Sequence, residues 1–156
     1  MKGGNKMSIV NEIRVDFLSV PENESFARLT VSAFLLPLNP TLSEVSDVKT
    51  AVSEAVTNAI IHGYGKKLGT VRMHATITDT RLLTVDITDN GRGIGDIKQA
   101  MQPFWTSVDG FERSGMGFTV MESFMDSVDV ASKVGAGTTV RMYKQIATGA
   151  ERAKEA

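Results

Sequence analysis

Cysteine is absent from the 156 residues, which excludes a disulfide framework and any thiolate metal site. With two histidines a zinc centre has few ligands to draw on, and the DxDxDG pattern of a calcium loop is missing its acidic members. No stretch approaches the ~18 apolar residues of a membrane helix, and the opening MKGGNKMSIV has no signal-peptide core. A soluble, cytoplasmic protein with no membrane partner is expected. An excess of positive charge is lacking too: 17 basic residues face 18 acidic ones, for a net charge of -1 and a pI near 6.1. A surface that coats phosphate backbones needs clustered Lys and Arg, so no direct nucleic-acid partner is expected. Internal repeats and low-complexity tracts are also missing. What remains is a chain that is 42% hydrophobic and of a length to bury one core, hence a single domain.

Residues 1–8 read as a disordered lead-in, 9–146 as the domain and 147–156 as a frayed polar tail. Ile9, Ile13, Val15 and Phe17 alternate with polar neighbours and predict a strand closed by Pro21. Phe26, Leu29, Val31 and Phe34 predict a helix that Pro37 and Pro40 end. From Thr41 to His62 the apolar stripe Val45, Val48, Val52, Ala55, Val56, Ala59 predicts a long helix, capped by Thr41 with Glu44 and stopped by Gly63. Strands follow at 70–78 and 81–88, then six glycines over 89–117 in what reads as a long mobile segment. A short helix at 118–125 and strands at 126–134 and 137–145 complete an α+β, two-layer α/β sandwich: a mostly antiparallel sheet with helices on one face.

Glu54 and Asn58 stand four residues apart on the long helix, so a carboxylate and an amide share one face beside the apolar stripe. An amide oxygen suits magnesium that keeps its waters and binds substrate phosphates, and a neighbouring carboxylate can accept a proton from an attacking hydroxyl. Taken alone, the pair is a solvated helix rim. Asp89-Asn90-Gly91-Arg92-Gly93 follows a strand, where one carboxylate can meet a base while the glycines let backbone close in; alone it is a surface turn. Ser114-Gly115-Met116-Gly117 precedes a helix whose N-terminus can meet phosphate, or is a hinge.

In order, ExxxNAxxHGY at 54–64, DxGxG at 89–93 and GxGF at 115–118 resemble the N box and two glycine boxes of the GHKL (Bergerat) ATPase superfamily. PENESFARLTVSAF, VKTAVSEAVTNAIIHGY, ERSGMGFTVMESFMDSVDV and GTTV resemble the anti-sigma serine kinases of the sporulation (sigma-F) type, over roughly residues 10–145. The resemblance implies ATP and Mg2+ as ligands, Asn58 as the metal's amide ligand, and Glu54 as base. It further implies Asp89 at the adenine amino group, with Gly91 and Gly93 giving the ring room and Thr139 assisting. Gly115 and Gly117 would lie along the phosphates, Arg113 would reach the terminal one, and Arg28 would contact protein partners.

The implied partners are a sigma-F type sigma factor, a small anti-anti-sigma protein phosphorylated on serine, and a second copy of the chain in a homodimer. The segment MQPFWTSVDGFERSGMG departs from the resemblance, with Val108 and Asp109 where relatives have a lysine-proline step and with Trp105 nearby. Two readings compete: a general-stress anti-sigma kinase with the same boxes, and an ATP-gated module that binds sigma factor without kinase activity.

Overall fold

A computed structural model of the chain describes residues 6–103 and 117–156. Five strands form one antiparallel sheet: β1 (Ile9–Leu18), β2 (Thr70–Thr78), β3 (Leu82–Asp89), β4 (Ser127–Lys133) and β5 (Gly137–Gln145), in the order β1-β2-β3-β5-β4. The helices are α1 (Glu22–Leu35), α2 (Leu42–Asn58), the single turn α3 (Ile97–Ala100), α4 (Gly117–Phe124) and α5 (Gly149–Glu155). The expected α+β sandwich is what the chain forms.

Alternation along the strands decides which face of the sheet is covered. Val71, Met73, Ala75 and Ile77 of β2, Leu83, Val85 and Ile87 of β3, and Val140 and Met142 of β5 are buried on one face. Against them lie Val48, Ala51, Val52, Ala55 and Val56 of α2, with Ala27, Val31, Phe34 and Leu35 of α1 and Phe118 and Met121 of α4 alongside. The other face carries charge. There Asp86 accepts two hydrogen bonds from the Arg141 guanidinium, at 2.7 and 2.6 Å, and Arg72 pairs with Asp16 at 2.7 Å.

Thr41 caps α2 as expected: its hydroxyl accepts the Glu44 N–H at 3.0 Å, and the Glu44 carboxylate accepts the Thr41 N–H at 2.8 Å. The tail does not fray as expected, because Thr148 and Glu151 repeat the same capping box and start α5. Arg152 of α5 then reaches Glu44 at 3.2 Å and ties the C-terminus to the start of α2.

Candidate functional site

Three stretches distant in sequence meet at the C-terminal end of α2. Glu54 and Asn58 sit there half-buried, one turn apart. Gly63 does not stop the helix. The chain instead widens into a π-turn over Ala59–Tyr64, in which the Gly65 N–H donates to the Ile60 carbonyl at 3.1 Å, and Gly65 ends it with a φ of 62°. Gly63 has a different use: a Cβ there would stand 2.7 Å from the Asp89 Cγ, so glycine alone lets the helix end lie against that carboxyl.

Asp89 ends β3 pointing into the covered face and is 5% exposed. Burial pushes its pKa up, while N–H donation from Gly91 and Thr138 to the carboxylate pulls more weakly the other way.

The glycines after Asp89 do not hold space open. A Cβ on Gly91 would lie 2.0 Å from the Gly63 carbonyl oxygen, and one on Gly93, where φ is 74°, would lie 2.2 Å from the Lys133 carbonyl oxygen. The room they leave is filled by backbone, and it locks the loop. Arg92 donates from its N–H to the Gly63 carbonyl at 3.0 Å and from Nε to the His62 carbonyl at 2.8 Å; Ile94 N–H donates to Ser132 Oγ at 2.7 Å. The long mobile segment expected over 89–117 is therefore corrected for its first part. Residues 104–116 lie outside the described residues, and with them Trp105, Val108, Asp109, Arg113 and Gly115.

Gly117, which opens α4, packs on Asn58: a Cβ there would meet the amide Nδ2 at 3.0 Å and Oδ1 at 3.2 Å. The helix N-terminus and the amide thus adjoin, as a phosphate site requires. Among the described residues no group of three His, Asp or Glu side chains gathers to hold a metal. A cleft of about 530 Å³ lined by Ile61, His62, Tyr64, Lys67 and Arg92 shares Gly63 and Gly91 with this arrangement but reaches none of Glu54, Asn58 and Asp89.

Thr139 is not brought to Asp89. Register places it opposite Thr88 on the uncovered face, their hydroxyls 3.0 Å apart, while Thr138 stands opposite Asp89 on the inner face, 8% exposed and 2.8 Å from the Ser132 hydroxyl. Strand alternation was the signal: Asp89 shares parity with buried Leu83, Val85 and Ile87, and Thr138 shares it with Val140 and Met142. Arg28 lies on α1 and donates to Glu24 at 3.1 Å, apart from this constellation.

The model of the histidine kinase-like ATPase domain matches residues 17–144. The anti-sigma F factor of Clostridium acetobutylicum is 56% identical over 137 residues, covering 88% of this chain and 95% of its own length. That of Thermoanaerobacter sp. strain X514 is 51% identical over 140 residues, covering 90% and 97%. Among solved structures, the RsbU and RsbW domains of Rv1364c from Mycobacterium tuberculosis superpose with a TM-score of 0.66 at 16% identity, over 88% of this chain and 33% of that one. The mycobacterial sensor histidine kinase MprB gives 0.54 at 16% identity, over 88% and 99%. These two share the fold; the sequence relatives share far more, and the chain belongs to the histidine kinase-like ATPase family and, within it, to the anti-sigma F factors.

Proposed function

We propose that the protein is a cytoplasmic, ATP-dependent serine kinase that also keeps a sigma-F type sporulation sigma factor from RNA polymerase, and that its kinase substrate is a small anti-anti-sigma protein. What supports this is the packing of Gly117, at the α4 N-terminus, on Asn58 one turn after Glu54, together with buried Asp89 lying against Gly63 just beyond the same helix. Asp89 would accept the adenine amino group, with Thr138 rather than Thr139 as the assisting hydroxyl. Asn58 would be the protein ligand of Mg2+, whose other ligands would come from phosphate and water. Bound there, the ion would neutralise charge on the phosphates. Glu54 would take the proton of the substrate serine as its oxygen attacks the γ-phosphorus and the bond to the ADP oxygen breaks. Arg113 and Gly115 keep their roles at the phosphates on the strength of the family motif.

Partner binding by Arg28 rests on its place in SFARLT and on its half-exposed guanidinium. A homodimer is supported by apolar surface: Phe26, Leu29 and Leu36 run along the outer side of α1 and its following turn, 49–61% exposed, and Ile9, Val10 and Leu18 of edge strand β1 are 55–62% exposed.

The test is transfer of label from γ-labelled ATP, with Mg2+, to the cognate anti-anti-sigma protein. Phosphoserine should appear with the unaltered chain and fall at least ~100-fold with Glu54→Gln, the scale of a lost general base. ATP binding without any transfer to a folded substrate would leave a nucleotide-gated sigma-binding module.

A further inference from the structure

Arg28 is not a loose surface cation. Glu24, one turn earlier on α1, accepts from Arg28 Nη1 at 3.1 Å, and Ser25 Oγ lies 3.4 Å from Arg28 Nη2. The same Glu24 oxygen accepts a hydrogen bond from the Ser53 hydroxyl of α2, and its other oxygen lies 3.5 Å from Ser25 Oγ. The carboxylate side chain is 18% exposed and the guanidinium side chain 37%, so the acid is the inner member of the pair and the base the outer one.

An ordinary i,i+4 ion pair on a helix surface contributes little, because two long side chains must both be ordered to form it. Here the carboxylate is already held by a second helix, so only the arginine has to be ordered. A guanidinium has five N–H donors. Among the described residues Arg28 commits two nitrogens, to Glu24 and Ser25, and the rest of its fork remains for a planar acceptor.

We propose that Glu24 is a positioning residue: anchored on Ser53, it holds the Arg28 guanidinium in the orientation that receives a carboxylate of a protein partner. The proposal rests on the reading of Arg28 as a partner contact. Ser53 directly precedes Glu54, so the seam that orients the arginine also abuts the residue assigned as base. Pre-ordering of this kind strengthens association by removing the rotamer freedom that binding would otherwise have to freeze.

A double-mutant cycle tests it: affinity for the cognate anti-anti-sigma protein is measured with ADP present for the unaltered chain, Glu24→Gln, Arg28→Ala and the pair. Melting temperature and ADP affinity report intact folding, and Ser53→Ala gives a second route to the same loss should Glu24→Gln fold poorly. Arg28→Ala should weaken binding, and Glu24→Gln should weaken it about three- to tenfold, the range for one mobilised side chain. In the Arg28→Ala background Glu24→Gln should have no further effect.

If Arg28→Ala leaves affinity intact, the partner-contact reading fails and takes the proposal with it. If Arg28→Ala weakens binding while Glu24→Gln leaves it unchanged or tightens it, that reading stands and the positioning role is overturned. An equal loss from Glu24→Gln in both backgrounds would overturn it too, by showing an effect that does not pass through the arginine.

Discussion

Asp89 is held at the site against its own preference for water. Its pKa is raised, chiefly by burial, so the folded chain keeps the proton to higher pH than the unfolded chain does. The nucleotide-free fold therefore loses stability as pH rises from the ordinary aspartate range, ~4, through the raised value, and the deficit persists above it. Asp89→Asn should remove that slope: in ligand-free thermal melts from acid to neutral pH, variant minus parent should grow in the variant's favour and then level. The same change should weaken ATP roughly ten- to a hundredfold, as expected for a lost hydrogen bond to a charged group. A parallel pH profile for the two proteins would refute the account. The neighbouring glycines show the converse economy: Gly63 gives up a side chain to lie against this carboxyl, and Gly91 and Gly93 give theirs up so that the loop after it can pack on the Gly63 and Lys133 carbonyls.

Among the elements, α2 is fixed at its start by Glu44, which serves three partners. Burial acts to raise its pKa, but the Thr41 and Ala147 N–H groups, the Arg152 charge and the Thr41 hydroxyl together outweigh that and lower it. A depressed carboxyl contributes stability that is present above the ordinary glutamate range and is lost as pH falls through the folded value. Glu44→Gln should cost about 1.5–3 kcal/mol in denaturant melts at neutral pH and nearly nothing once acid has protonated the parent. Hydrogen exchange should rise across α5, because Arg152 loses its carboxylate and Ala147 its acceptor. Exchange that stays unchanged there would show that α5 docks by other means.

At the scale of the molecule, the two faces of the sheet and its edges have different fates. Asp86, 8% exposed, and Arg141 lie in one row across the strands with His74 and Asp129, so the uncovered face meets solvent with charge rather than with a second layer of helices. Exposed apolar side chains occur at several places, among them Phe26 and Leu29 of α1 and Ile9, Val10 and Leu18 of edge strand β1. If a second copy covers these, Leu29→Glu should convert a species of two chains into one in light scattering at micromolar concentration, with ADP binding retained. A parent that scatters as one chain would dismiss the dimer.

Much of this architecture could be read from period alone. The strand alternation in β2, β3 and β5, the stripe on α2, and the Thr41–Glu44 cap are local patterns, and they set the elements to within a residue or two because each is enforced by neighbours in the chain. The boxes at 54–64, 89–93 and 115–118 were legible for the same reason: type and spacing are written in one dimension. What local pattern could not show was who touches whom. The π-turn at Ala59–Tyr64, Gly63 lying on Asp89 and the capped α5 were decided by contacts between segments. So was the pairing of Thr138 with Asp89: alternation puts Thr138 on the buried face, but its place opposite the carboxyl depends on the register of β3 against β5. The sequence by itself determined the family, the elements and the chemistry on offer. Only the tertiary structure decided what Gly63, Gly91 and Gly93 pack against and which residue of β5 stands opposite the buried carboxyl, because both are settled by the close approach of backbones far apart in the chain.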